Sequence, residues 1–192
     1  MLQKKIINKN GASLIEIVAT ITIVSIALIM IYNILSYNIR QNGINHERIM
    51  NANIANGTLS YIINKDFSII ENHLKSNTDH YAIIDENSCN ALFSDDLETC
   101  MAVLSPVINS KEYHSDNLYI YLLPFNDPIA INELKSTPPP NAPQVLIDYL
   151  DNLDTSQFTE ANVNHNAIRV IVITESSINS KYDFLLKGVT TK

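Results

Sequence analysis

From Leu14 to Tyr32 the chain reads LIEIVATITIVSIALIMIY, nineteen residues without proline or glycine in which Glu16 is the sole charge. A helix of about 20 apolar residues is what the hydrocarbon core of a bilayer requires, so this run predicts a membrane-spanning helix. Lys4, Lys5 and Lys9 precede it and no cation follows immediately, which predicts residues 1–10 on the cytoplasmic side and everything after about residue 36 outside. At 192 residues the chain holds one head of ordinary domain size besides that anchor. Its 46% apolar and 17% charged residues suit a folded head carrying an extra apolar segment, not a disordered chain.

The net charge of -7 is unevenly spread. Without residues 1–11 the remainder is distinctly acidic and has no basic patch, so no nucleic-acid partner is expected. Cys89 and Cys100 bracket CNALFSDDLETC, and two cysteines exclude a four-cysteine zinc site. In an exported head they read as a disulfide, worth about 3 kcal/mol in the chain-entropy model. In a cytosolic domain they would be two buried thiols.

Three readings compete for the apolar run. A cleaved secretory signal has a shorter core and a small-x-small site beyond it, whereas this run is long and continues into NILSYNIRQN. A plain signal anchor explains length and orientation but leaves Glu16 unexplained. A charge at the centre of such a helix costs about 2.5 to 3.5 kcal/mol on insertion scales, and less near the end.

The third reading is a resemblance. Gly11-Ala12-Ser13-Leu14-Ile15-Glu16, with lysines before and the apolar helix behind, resembles the class III signal of type IV pilins and pseudopilins, whose usual form is Gly followed by Phe-Thr-Leu-Ile-Glu. The resemblance covers roughly residues 4 to 35. It implies cleavage between Gly11 and Ala12 by a prepilin peptidase and methyltransferase, N-methylation of Ala12, and retention of the apolar helix as the anchor. It also implies that Glu16 pairs with the terminal amine of a neighbouring subunit, each buried charge offsetting the desolvation of the other. Two departures stand out: Ala12 replaces the usual large apolar first residue, and Asn33 stands where many major pilins carry a proline. The second points toward a minor pilin or a type II secretion pseudopilin.

The implied partners are other pilin or pseudopilin subunits, the peptidase, an inner-membrane assembly platform and membrane lipid. The implied location is the bacterial inner membrane, single pass with the head outside, and then a surface pilus or periplasmic pseudopilus. A reading of a different class is a signal-anchored extracytoplasmic binding or enzymatic domain with no filament role.

The expected fold is α+β, a long N-terminal helix packed on a small antiparallel sheet. Its parts are a cleaved leader (1–11), a transmembrane assembly helix (12–35), an amphipathic continuation (36–75) and a head (76–192) with a proline-rich linker inside it (136–144). Leu35, Ile39, Ile54, Leu59, Ile62, Ile63, Phe67, Ile70 and Leu74 supply the apolar stripe, and Gly43 and Gly57 mark possible bends. Ser68-Ile-Ile-Glu71 has capping-box spacing, so a break near Asp66 with a second helix to Lys75 is the alternative to one continuous helix. Strands are expected over 81–85 and 117–125, and as a hairpin over 167–175 and 181–190. Helices are expected over 95–104 and 144–153.

No catalytic motif accompanies this plan. His46, His73, His80, His114 and His165 have no metal-ligand spacing, and no cofactor or metal is expected. Asp95, Asp96 and Glu98 lack a calcium-loop register and read as a solvated helix start. Tyr119, Tyr121 and Phe125, at a spacing of two to four, read as cover for a sheet face ahead of a sugar-binding stripe.

Overall fold

The computed structural model describes residues 13–85, 88–89, 92, 96–108, 111–112, 117–154, 156, 158–176 and 183–192. It divides into two compact units between Asn45 and His46. The first described element is the helix α1, Leu14–Ile63, 50 residues long. Gly43 and Gly57 both lie inside it, and neither interrupts it. From His46 onward Asn51, Ile54, Ala55, Thr58, Leu59 and Ile62 are buried, the three- and four-residue spacing that puts one helix face against a core.

A second helix, α2 (Phe67–Ser76), follows a break, so the two helices are separate. The cap differs from the sequence expectation. Asp66 is the N-cap, its Oδ1 accepting from the backbone N–H and the hydroxyl of Ser68 at 2.9 and 2.8 Å. Ser68 is therefore already inside the first turn. Glu71 pairs with Lys75 one turn on, at 2.6 Å, and takes no part in a capping box.

The sheet is antiparallel throughout, with β1 (Ala82–Ile84), β4 (Leu118–Phe125), β5 (Asn164–Thr174) and β6 (Phe184–Thr191) in that spatial order. A two-stranded ribbon, β2 (Val107–Ile108) with β3 (Lys111–Glu112), stands apart from it. The fold is thus α+β, a long N-terminal helix packed on a four-stranded antiparallel sheet. One sheet face, carrying Ile84, Ile120, Leu122, Val170 and Val172, packs on Ile54, Leu59 and Ile62 of α1 and on Ile70 of α2. Helix α3 (Leu97–Leu104) joins this layer through Cys100 and Leu104.

Two contacts fix how α1 meets the sheet. Thr174 and Thr190 donate their hydroxyls to the carbonyls of Asn51 and Ile63 at 3.3 and 3.4 Å. At Gly188 a Cβ would run into the Cδ1 of Ile63 and touch Leu59, so a residue without a side chain sits where the helix approaches closest.

The opposite sheet face is also covered. Tyr121, Leu123, Ile171 and Ile173 pack on α4 (Pro128–Ser136) and α5 (Gln144–Asp151) through Ile131, Leu134, Leu146 and Leu150. Helix α4 had no counterpart in the sequence reading. Its start signal is Asp127-Pro128, in which the Asp127 carboxylate accepts from the N–H of Ile129 and Ala130 at 2.8 and 3.4 Å and proline takes the first turn. Residues 136–144 therefore connect two helices of one layer, with a turn closed by the Ala142 N–H to Pro139 carbonyl bond.

Candidate functional site

The first turn of α1 is the place where sequence and geometry meet. Ser13 is its cap. The Ser13 backbone N–H donates to Glu16 Oε2 at 2.8 Å, and the Glu16 N–H donates to Ser13 Oγ at 3.3 Å. That is a capping box, in which two helix-end donors that lack a helical partner are satisfied reciprocally. Ser13-Leu-Ile-Glu16 has the same three-residue spacing as Ser68-Ile-Ile-Glu71, and here the box forms. Gly11 and Ala12, the residues expected at the cleavage and methylation site, lie outside the described residues.

Beyond that turn α1 is apolar and exposed. Leu14, Ile15, Val18, Ile21, Ile23, Leu28 and Ile29 each leave half or more of their surface uncovered. Three hydroxyls interrupt this surface, and each is satisfied locally: Thr20, Thr22 and Ser25 donate to the carbonyls four residues back at 2.7, 2.8 and 2.7 Å. Hydrocarbon offers no hydrogen-bond partner, so polar groups that close their bonds within the helix are those a lipid-facing segment tolerates. Among the described residues α1 is the one helix long and apolar enough to cross a membrane, which suits a single anchor or a signal.

In the head, Cys89 and Cys100 form a disulfide, both fully buried in the α1-side core. Asp96 precedes α3 but makes no capping hydrogen bond there. Its carboxylate instead accepts from Lys65 Nζ and from the Tyr61 hydroxyl, 3.3 Å away, at the end of α1. The Lys65 hydrogen bond holds the Asp96 carboxyl below its ordinary value and raises Lys65. Asp95 lies outside the described residues.

Among the described histidines, His80 and His165 line one cavity. His80 meets Glu133, at 2.8 Å, and not its neighbour Asp79, while His73 Nε2 lies 3.3 Å from the Ile83 carbonyl. His114 lies outside the described residues. Among the described residues no three His, Cys, Asp or Glu side chains form a group able to hold a metal. Tyr121 is buried, its hydroxyl pushed well above the usual phenol range by desolvation, and Tyr119 donates to Glu175 at 3.3 Å. These tyrosines cover the α4/α5 face of the sheet.

One electrostatic conflict remains at the end of β5. Burial first, and then the Asp183 charge, push Glu175 above the usual carboxylate range; burial does the same to Asp183, against the Ser176 N–H that donates to it.

A long apolar N-terminal helix whose later turns lie under a four-stranded antiparallel sheet is a pilin-like architecture. Compared with protein-family models, with curated proteins and with solved structures, the chain matches none.

Proposed function

We propose that the chain is a structural subunit of a pilus-like filament, a minor type IV pilin or a type II secretion pseudopilin, and not an enzyme. The observation that carries this reading is one helix used in two ways. Its later turns are buried under the sheet, while Leu14 to Ile39 present apolar side chains that none of the described residues cover. Such a surface needs lipid, or the same helix of other subunits.

In this account a membrane peptidase cuts between Gly11 and Ala12 and methylates Ala12, and Leu14 to Tyr32 hold the subunit in the membrane until the assembly platform extracts it. The new amine is a cation at the positive end of the α1 dipole, an unfavourable placement that a carboxylate one turn away offsets. Glu16 of one subunit then pairs with the Ala12 amine of the next and sets the axial register of the bundle. The head faces the oxidising side, where the Cys89–Cys100 bond is stable.

The capping box favours a second reading, because it gives Glu16 a local use that needs no neighbour. In that reading the chain is a signal-anchored extracytoplasmic domain. One pair of substitutions separates the two. Glutamine fills the last position of a capping box as glutamate does, but carries no charge. In cells that assemble the filament, Glu16→Gln and Glu16→Ala are both expected to lose the subunit from the sheared filament fraction while leaving it in the membrane. Normal filament recovery of Glu16→Gln would reject the assembly pair.

A further inference from the structure

On the α4/α5 face of the sheet, β5 and β6 bring two cations to one cavity. Arg169 is paired in register with Val189, and Ile171 with Lys187. Arg169 and Lys187 are therefore diagonal neighbours on the same face, roughly 7–8 Å apart at the backbone. Both line a cavity of about 220 Å³, together with Phe125, Gly188 and Val189.

The guanidinium of Arg169 is held from several sides. Its carbon lies 5.2 Å from the centre of the Phe125 ring and 5.1 Å from that of Phe158. Its Nη1 donates to the Tyr149 hydroxyl at 3.3 Å and its Nη2 to the Asn126 side-chain oxygen at 2.9 Å. Asn126 holds the left-handed conformation, φ 60°, which asparagine adopts more readily than most residues and which sets its amide at the turn out of β4. Lys187 Nζ lies 4.8 Å from the Tyr149 ring centre, so one tyrosine touches both cations.

Neither cation has a carboxylate within ion-pair distance among the described residues. Two acids, Asp148 and Asp154, line a neighbouring hollow with Lys187 and Tyr149, and neither is within ion-pair distance of Lys187. Asp148 accepts from Gln144 at 2.8 Å, and Asp154 accepts from the Ser156 N–H at 3.0 Å. A partly buried arginine without an ion-pair partner leaves its charge uncompensated at short range.

The geometry also says which anion fits. With Nη1 and Nη2 each giving one hydrogen to Tyr149 and Asn126, three of the five guanidinium N–H groups are left, and a planar, two-oxygen acceptor, a carboxylate, can take two of them in plane. Phe125 and Val189 give the same cavity apolar walls. An aspartate side chain, about two to three water volumes of roughly 30 Å³ each, would fill less than half of the space. A single sugar ring bearing a carboxylate supplies both the charge and the apolar ring faces. We propose that this cavity binds the carboxylate of an acidic monosaccharide, held by Arg169, Lys187 and the free hydroxyl proton of Tyr149. The proposal stands independently of filament assembly.

The test uses the full chain in detergent micelles, titrated at low salt with glucuronate, glucose, N-acetylaspartate and inorganic phosphate and read by saturation-transfer NMR. Glucuronate is expected to bind saturably, with glucose silent and the other two anions at least about tenfold weaker. Lys187→Gln, an exposed substitution, is expected to weaken glucuronate binding about tenfold with unchanged Tm. Arg169→Lys, which keeps the charge but loses the fork, is expected to abolish it. Equal signals from glucose and glucuronate, tighter binding of N-acetylaspartate or phosphate, an unaltered affinity in Lys187→Gln, or no glucuronate binding in the wild type would each overturn the assignment.

Discussion

Ile26 and Ile62 belong to the same helix, ten turns apart on the usual pitch, and their surroundings are opposite: Ile26 is 49% exposed, Ile62 fully buried. Isoleucine alone does not separate them, since it occurs in both stretches of α1, but in the earlier one it sits among mostly apolar residues and in the later one among asparagine and other polar residues. What also differs is what the chain supplies to cover them. The later stretch meets Leu122, Val170 and Val172 across the sheet. Among the described residues the earlier stretch has no such partner, and its hydroxyls are closed onto its own backbone. One part of the helix is covered by the fold, and the other is left exposed by the described residues.

The sharpest way to break that contrast is the same truncation in both places. Ile62→Ala should destabilise the head by about 2–5 kcal/mol, the range for a buried isoleucine losing its side chain, whereas Ile26→Ala should leave head stability unchanged. Urea unfolding in micelles, followed by tyrosine fluorescence, checks both, and a comparable loss at Ile26 would mean that the early stretch also packs within the chain.

A smaller effect is expected from the disulfide, which ties α3 into the α1-side core. Replacing Cys89 and Cys100 together by alanine should cost about 2–4 kcal/mol, and reductant should shift the midpoint of the wild type alone. An unaltered midpoint under reductant would show that the bond is not formed in the folded protein.

The smallest effect concerns Glu175 and Asp183. Their raised folded-state values mean that the folded head binds protons more readily than the unfolded chain, so the pair detracts from stability as pH rises. The penalty is absent below the unfolded carboxylate value of about 4 and complete above the raised folded ones. Asp183→Asn should therefore raise Tm at pH 7 and lose that advantage at pH 3, as calorimetry at the two pH values will show.

Much of this was legible in the sequence because it lay in local pattern. The apolar run, the strands Leu118–Phe125 and Phe184–Thr191, and helices α3 and α5 all follow from periodicity within a few residues of their expected ends. The second helical layer was harder to foresee. LYIYLL and AIRVIVIT are apolar without alternation, the mark of strands covered on both faces, but which segment covers the second face is a tertiary fact. Asp127-Pro128 announced α4 to a reader looking for caps. Asp96 shows the converse, a residue well placed to cap the backbone of α3 whose carboxylate instead meets the Thr99 side chain and Lys65, the latter more than thirty residues earlier in the chain.

At the functional end the sequence was legible in identity and not in geometry. Glu16 was singled out by its charge, whereas its bond to Ser13 needed only the three-residue spacing to be noticed. The cation pair Arg169 and Lys187 left no trace, because their residues are eighteen apart and meet only through the β5–β6 register.

The central claim is that the apolar helix begins at a processed end, and intact mass tests it most directly. The chain, expressed with a prepilin-type peptidase and extracted from membranes, is predicted to lack residues 1–11 and to carry one methyl group on Ala12. A chain that retains Met1 and bears no methyl group under those conditions would contradict the account.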